Sequence, residues 1–358
     1  MRERAIHELL SGRTTGPLAG LARAGLLAAS LPYSAAMRLR RWAYRRQLPG
    51  LFSRRPHCDN RIGIICVGNI TTGGTGKTPM VAMIVRHLCE LGRRPAILTR
   101  GYKGRGGRSD EAQLLEQLSQ GPRPVSVIVN PDRVAGAQAA VAGGADVLVM
   151  DDGFAHLRLG RDLNIVLIDA LNPFGYGYCL PRGLLREPPS ALADADAIVI
   201  THADQAGADD VDALRRKLAA LSPRATMHQA AHVPACVIDA QGREQPPQTL
   251  AGKKVFAFCG LGNPESFFET IRGLGAELSG KLALNDHATY DAATLEAIIR
   301  AARACGAEML LTTQKDFVKL RSLPCDMEIR QLAVRMEITQ GRQELLDKID
   351  ACICTPLP

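Results

Sequence analysis

The sequence predicts an α/β fold made of two lobes, each with a mostly parallel sheet covered by helices. Three observations support this prediction. Short apolar runs alternate with amphipathic segments along most of the 358 residues. An irregular segment rich in proline, at 226–252, divides this alternation into two parts. A basic, partly apolar segment at 1–55 comes first. We therefore expect a larger lobe at 56–225, a linker at 226–252 that carries one or two short strands, and a smaller lobe at 253–358.

The N-terminal segment carries most of the charge of the chain. The formal net charge is +8, but residues 1–55 hold eleven arginines and two glutamates, which gives +9 there and −1 for the remainder. This distribution argues against a nucleic-acid groove on the globular lobes. An apolar stretch at 17–37 precedes a cluster of arginines interleaved with Trp42 and Tyr44, a combination typical of a segment lying at a membrane surface. A spanning helix is disfavoured because a charge and a proline interrupt the stretch, and a helix packed on the core is the remaining alternative.

The cysteines indicate a reducing compartment. Ten of them are scattered along the chain and none forms a C-x-x-C pair. We expect neither a disulfide framework nor a structural zinc site.

The predicted elements alternate in the order that a parallel sheet requires. In the larger lobe, apolar runs predict strands at 62–67, 95–98, 125–129, 147–150, 165–168 and 197–200, and amphipathic periodicity predicts helices at 77–91, 133–141 and 209–221. In the smaller lobe we expect strands at 255–259 and 309–312 and helices at 265–274 and 292–305.

A glycine-rich loop joins the first strand to the first of these helices. Its sequence, Thr71-Thr72-Gly73-Gly74-Thr75-Gly76-Lys77-Thr78, fits the P-loop pattern, with Thr71 in place of the first glycine. Such loops turn backbone N–H groups toward phosphate oxygens, the lysine reaches the terminal phosphates, and the hydroxyl after it binds Mg²⁺. The sequence thus predicts a P-loop lobe that binds ATP through Thr72, Gly73, Gly74, Thr75, Gly76, Lys77 and Thr78.

A pair of carboxylates ends another strand of the same lobe. Asp151 and Asp152 follow the apolar run 147–150, and carboxylates at the end of a strand near a P-loop are typical of a magnesium site. Paired aspartates after a strand also serve as turn formers and helix caps.

Four motifs follow one another along the chain: Gly68–Pro79, Arg100-Gly101-Tyr102, the segment Asp151–His156, and Leu180–Glu187. In this order they resemble the tetraacyldisaccharide 4'-kinase family of lipid A biosynthesis. The resemblance extends from the N-terminal segment to Asp286-His287 and to Thr313-Gln314-Lys315-Asp316. It implies transfer of the γ-phosphate of ATP to the 4'-hydroxyl of an acylated glucosamine disaccharide 1-phosphate, at the cytoplasmic face of the bacterial inner membrane.

The resemblance also implies roles for individual side chains. Asp110 and His287 are expected to activate the sugar hydroxyl, because a carboxylate paired with an imidazole can accept its proton. Glu187 joins the two aspartates as a candidate for magnesium, and Arg133 and Arg186 are candidates for phosphate contacts. His156 either contacts the nucleotide or only supports its turn.

Two other function classes share a phosphate loop. A GTPase or GTP-dependent metallochaperone normally needs an Asn-Lys-x-Asp element after a strand, and neither Gln314-Lys315-Asp316 nor Asp347-Lys348-Ile349-Asp350 supplies it. A membrane adaptor that binds nucleotide without turnover is the second alternative. This adaptor hypothesis is disfavoured because the chain keeps the residues expected for turnover, which are Lys77, Thr78, Asp110, Asp151 and His287.

Overall fold

The chain folds into two units, and both boundaries between them fall within strands. The computed structural model describes residues 2–48, 62–101, 110–118, 125–285, 290–321 and 323–354. The larger unit comprises Arg2–Ala231 and Met336–Pro358, and the smaller unit is His232–Arg335. The predicted α/β class, with mostly parallel sheets, is confirmed.

The larger unit is built on a parallel sheet. Its strands, in chain order, are β1 (Gly63–Asn69), β2 (Pro95–Thr99), β3 (Ser126–Val129), β4 (Val147–Met150), β5 (Leu163–Asp169), β6 (Ala197–Thr201) and the first part of β7 (Thr226–Asp239). They lie side by side in the order β3-β2-β4-β1-β5-β6-β7. The central strands are continuous apolar runs because helices cover both faces of the sheet.

The helices of this unit pack on both faces of its sheet. Apolar residues of α3 and α4 pack on one face of the sheet, and those of α5 and α6 pack on the other. Two helices precede the sheet in the chain, and the longer has the polar and basic residues expected of an amphipathic segment. The helices are α1 (Arg2–Ser11), α2 (Pro17–Arg45), α3 (Lys77–Glu90), α4 (Asp110–Leu118), α5 (Arg133–Ala142) and α6 (Ala208–Leu221).

The smaller unit has its own core, built around further parallel strands. The remainder of β7 pairs with the short antiparallel β8, and the parallel strands run in the order β10-β9-β11-β12. Phe258 and Phe268 are among its fully buried side chains. Its elements are β8 (Glu244–Gln245), β9 (Lys254–Cys259), α7 (Pro264–Gly273), β10 (Glu277–Ala283), α8 (Ala292–Ala304), β11 (Met309–Thr313), α9 (Gln314–Leu320) and β12 (Ile329–Gln340).

Two predicted boundaries differ from the observed ones. The expected linker at 226–252 begins with β7, whose half-buried residues and internal proline conceal a strand pattern. The C-terminal residues belong to the larger unit, because the last helix, α10 (Arg342–Cys354), buries Leu345 and Ile349 in the core that also holds α3. The smaller unit therefore ends within β12, before the end of the chain.

Among the described residues, no helix combines the length and the apolar character that crossing a membrane requires. Helix α2 is long enough, at 29 residues, but its polar and charged positions lower its mean hydropathy.

Candidate active site

The glycine-rich loop connects the carboxyl end of β1 to the start of α3. Gly73 and Gly76 have φ angles of 110° and 85°, which favour glycine, and Lys77 is the first residue of α3. The amide of Asn69 donates a hydrogen bond to the Thr75 hydroxyl (3.0 Å), and Thr75 is buried. The bond from Asn69 to the buried Thr75 thus fixes the loop, while the backbone N–H groups of the loop lie at the positive end of the helix.

The two aspartates follow β4, the strand that pairs with β1. Asp152 has a left-handed backbone (φ 51°) that side chains rarely adopt. Its Oδ1 lies 3.7 Å from Lys77 Nζ, and Arg186 donates to both of its carboxylate oxygens, at 2.6 and 2.8 Å. Asp151 is buried at the same turn. The predicted P-loop lysine and the predicted acidic pair are therefore neighbours.

Arg186 joins this turn to the phosphate loop. Besides Asp152, it donates to the Thr71 carbonyl (3.0 Å) and to the side-chain oxygen of Asn69. Burial would raise the pKa of Asp152, but the hydrogen bonds from Arg186 and the charge of Lys77 outweigh it and lower that pKa far below its usual range. Burial alone would lower the pKa of Arg186, but the hydrogen bond to Asp152 outweighs it and leaves that pKa raised. Both groups stay charged at neutral pH.

Two further basic side chains lie close to the acidic turn. Arg133, at the start of α5, is buried and donates to the Asp151 carbonyl (3.2 Å), and its Nη1 has no hydrogen-bond acceptor among the described residues. That free donor fits an anionic ligand. Burial, and then the charge of Arg133, lower the pKa of His156 to about 4. His156 is therefore neutral at pH 7.

Glu187 does not face the same partners as Arg186. Only 1% exposed, it accepts a hydrogen bond from Arg41 Nε (2.7 Å), and Arg40 Nη1 lies 3.6 Å from its other oxygen. The magnesium role expected for Glu187 thus competes with an ion pair to helix α2. Arg41 was not among the predicted site residues, although the helical period places it on the buried stripe of α2 that includes Ser30 and Tyr44.

The two groups expected to activate the hydroxyl fall outside the part of the chain whose side chains are described. Asp110 begins α4, but its side chain lies outside the described residues, as does the whole of 286–289, which contains His287.

The oxygen donors at the phosphate loop suit a hard cation. Within the described ranges, no group of three or more His, Cys, Asp or Glu side chains is arranged to hold a metal on its own. Thr78, in the first turn of α3, and the Asp151–Asp152 turn offer a hydroxyl and carboxylates, which are the ligands that Mg²⁺ takes when nucleotide phosphates complete its coordination. The donor set therefore fits magnesium bound together with ATP.

Comparison with known proteins gives matches that extend over both units. Residues 22–353 match the model of a family described as tetraacyldisaccharide-1-P 4'-kinase. A tetraacyldisaccharide 4'-kinase of Anaeromyxobacter sp. (strain K) is 37% identical over 94% of this chain and 93% of that protein. Another, from Syntrophus aciditrophicus (strain SB), is 43% identical over 72% of this chain and 75% of that protein. The crystal structure of LpxK from Aquifex aeolicus in complex with ATP has a TM-score of 0.69 and 25% identity, and the match covers 93% of this chain and 99% of that one.

Proposed function

The chain belongs to the tetraacyldisaccharide-1-P 4'-kinase family, and we propose that it transfers the γ-phosphate of ATP to the 4'-hydroxyl of a tetraacyldisaccharide 1-phosphate. The observation that carries the proposal is the 3.7 Å approach of Lys77 to Asp152 beside an open glycine-rich loop. Phosphoryl transfer depends mainly on positioning and on neutralising charge. The site supplies positioning and charge neutralisation through a lysine, two arginines and an acidic turn at one helix N-terminus.

Each group of the site has a separate task in this reaction. The backbone of Thr72–Thr78 and the side chain of Lys77 bind the β- and γ-phosphates, and Arg133 and Arg186 neutralise developing charge. Thr78 and the Asp151–Asp152 turn would hold Mg²⁺, which would help to neutralise the phosphate charge when bound.

The acceptor hydroxyl needs a base. In line with the family resemblance, Asp110 and His287 form the pair that takes its proton.

A kinase assay in detergent micelles tests the assignment. With Mg²⁺, labelled ATP and the lipid disaccharide 1-phosphate, Lys77→Ala lowers kcat by about a hundredfold or more. Lys253→Ala is the matched control, because the Lys253 side chain is half exposed and its ammonium lies 3.9 Å from Glu308 in the smaller unit. Equal product from the two variants would contradict the site. Replacing ATP by GTP tests the GTPase alternative, which requires GTP to be preferred.

The lipid acceptor also requires access to a membrane, and α2 has a surface suited to it. Leu18, Leu21, Leu31 and Leu39 are 82%, 72%, 63% and 64% exposed, and Trp42 is 50% exposed. Apolar side chains beside arginines on one helix favour the interface of an anionic bilayer. The protein accordingly lies peripherally at the cytoplasmic face of the inner membrane, held by α2.

Vesicle flotation tests this attachment. The double substitution Leu21→Glu with Leu31→Glu lowers the fraction bound to anionic phospholipid vesicles by about fivefold or more, because it removes apolar contact and adds repulsion. Leu91→Glu, at a 48% exposed leucine after α3, is the control. Equal flotation of both variants would reject the attachment through α2.

A further inference from the structure

Arg41 is a buried arginine on a helix that is otherwise largely exposed. It is 3% exposed, and its guanidinium donates hydrogen bonds to Glu187 (2.7 Å), to Asp194 (2.7 Å) and to the carbonyl of Phe154 (3.1 Å). It also lies over the ring of Phe154, 4.5 Å from the ring centre. Each of the three guanidinium nitrogens therefore donates a hydrogen bond, and none of the acceptors belongs to α2.

One partner of Arg41 continues the acidic turn. Phe154 comes two residues after Asp152, and Arg161 donates to the same Phe154 carbonyl at 3.2 Å. Phe154 packs directly against Gly68 of β1, where an added Cβ would lie 2.5 Å from the Phe154 Cβ. Displacement of Phe154 would therefore disturb the strand that leads to Asn69 and the phosphate loop.

The second partner, Glu187, is bonded through its backbone to the residue just before the phosphate loop. The backbone N–H groups of Arg186 and Glu187 both donate to the Ile70 carbonyl, at 2.8 and 3.2 Å. From this common point the Arg186 side chain reaches Asp152, while the Glu187 side chain reaches Arg41. Holding Glu187 therefore also fixes the backbone from which Arg186 extends.

Two other contacts from α2 end on the same segments. The hydroxyl of Tyr33 donates to the Arg186 carbonyl (3.0 Å), and Arg40 donates to the Ala155 carbonyl (3.0 Å). Contacts spaced along the helix thus converge on 154–155 and 186–187. Arg45, by contrast, is 42% exposed and donates to Asp194 and to the Ser190 carbonyl, neither of which belongs to these two segments.

We propose that Arg41 is a positioning residue for phosphoryl transfer: it fixes Phe154 and Glu187, and through them the Asp152–Arg186 pair beside Lys77. This inference rests on the proposed active site. It assigns Glu187 to the support of that site through Arg41, in place of direct magnesium binding. Because the leucines exposed on α2 form the proposed membrane surface, the helix that contacts lipid also supports the nucleotide site.

Four variants measured in detergent micelles test the proposal apart from membrane attachment. Arg41→Gln lowers kcat by about tenfold or more, with the KM for ATP changed less than the kcat. Arg41→Lys restores part of kcat, because an ammonium keeps the charge and can meet one or two of the three acceptors. Arg45→Gln, the matched control, leaves kcat within about twofold of the unmodified enzyme.

The double variant Arg41→Gln with Glu187→Gln separates positioning from folding. Arg41→Gln alone removes the 2.7 Å cationic partner of the buried Glu187 carboxylate, which leaves that carboxylate with Arg40 at 3.6 Å and lowers the melting temperature. The double variant removes both charges of the 2.7 Å pair and recovers most of the melting temperature. The proposal requires kcat to stay low in the double variant. A kcat that recovers along with the melting temperature, or one that is unchanged in Arg41→Gln, overturns it. If Lys77→Ala also keeps full activity, the proposed site itself fails; if Lys77→Ala is inactive, only the role of Arg41 fails.

Discussion

Substitution of Gly68 by alanine probes the contact that joins the acidic turn to the phosphate strand. The new Cβ would lie 2.5 Å from the Cβ of Phe154 and 2.7 Å from its backbone nitrogen. Ordinary contacts begin near 3.4 Å, so Phe154 has to move by about 0.9 Å. Its backbone is held by hydrogen bonds from Arg41 and Arg161, so the movement cannot be confined to a side-chain rotation.

Two effects of known size follow from that displacement. Overpacking of a well-packed core costs about 1–3 kcal/mol, which lowers the midpoint of thermal unfolding by roughly 2–12 °C for a unit of this size. A misplacement of about 1 Å near the reacting groups can lower a rate by about a hundredfold. Because Asn69, the next residue, contacts both Thr75 and Arg186, we expect kcat to fall by about tenfold to a hundredfold in protein that is still folded.

Calorimetry measures the melting temperature and the micelle kinase assay measures kcat, both on the same preparations. Gly25→Ala is the matched control, since a Cβ at that position of α2 meets no atom within 4 Å. A Gly68→Ala enzyme with the melting temperature and kcat of the Gly25→Ala enzyme would refute the reasoning. It would show that the Phe154 backbone relaxes without disturbing the loop.

Three further perturbations address the other parts of the site and fold. Arg186→Lys removes the two-point contact with Asp152, worth about 1.5–3 kcal/mol, and we expect steady-state kinetics to show kcat/KM about 10- to 100-fold lower; an unchanged value contradicts the pairing. Because the pKa of His156 falls to about 4 on folding, the stability it supplies is present above about pH 6.5 and is lost as pH falls toward 4; His156→Gln should flatten urea-unfolding stability across that window, by about 1–3 kcal/mol, and an unaltered slope would refute the assignment. Ile349→Ala opens a cavity in the larger unit and should cost about 2–5 kcal/mol in the same measurement, whereas a cost below about 1 kcal/mol would contradict the packing of α10.

The order of elements could be predicted because parallel strands buried on both faces leave continuous apolar runs. The runs at 147–150 and 197–200 differ from the observed β4 and β6 by at most a residue at one end. In the region of β7 the sequence predicts only one or two short strands, and the single 14-residue strand could not be recognised, because many of its residues are only partly buried and Pro234 interrupts it. A pattern of period two is absent when neither face of a strand is consistently covered.

The phosphate loop was predictable for a different reason. Its chemistry depends on residues adjacent in the chain, so the glycines, Lys77 and Thr78 identify it without knowledge of the fold. The contact between Lys77 and Asp152 could be anticipated from the neighbouring positions of two strands. The bond from Arg41 to Glu187 joins residues 146 positions apart, and an arginine cluster in a sequence does not show which member is buried. Only the helical stripe shared with Ser30 and Tyr44 distinguishes it.

The charges around the phosphate loop also limit which groups can control the reaction through pH. Asp152 remains ionised at any pH near neutral because Arg186 and Lys77 lower its pKa, and His156 remains neutral there because burial and Arg133 lower its pKa to about 4. Neither group changes its charge between about pH 6 and pH 8. A kcat that changes across this range therefore reports a proton other than those of Asp152 and His156, and the proton of the acceptor hydroxyl is one that this chemistry has to move.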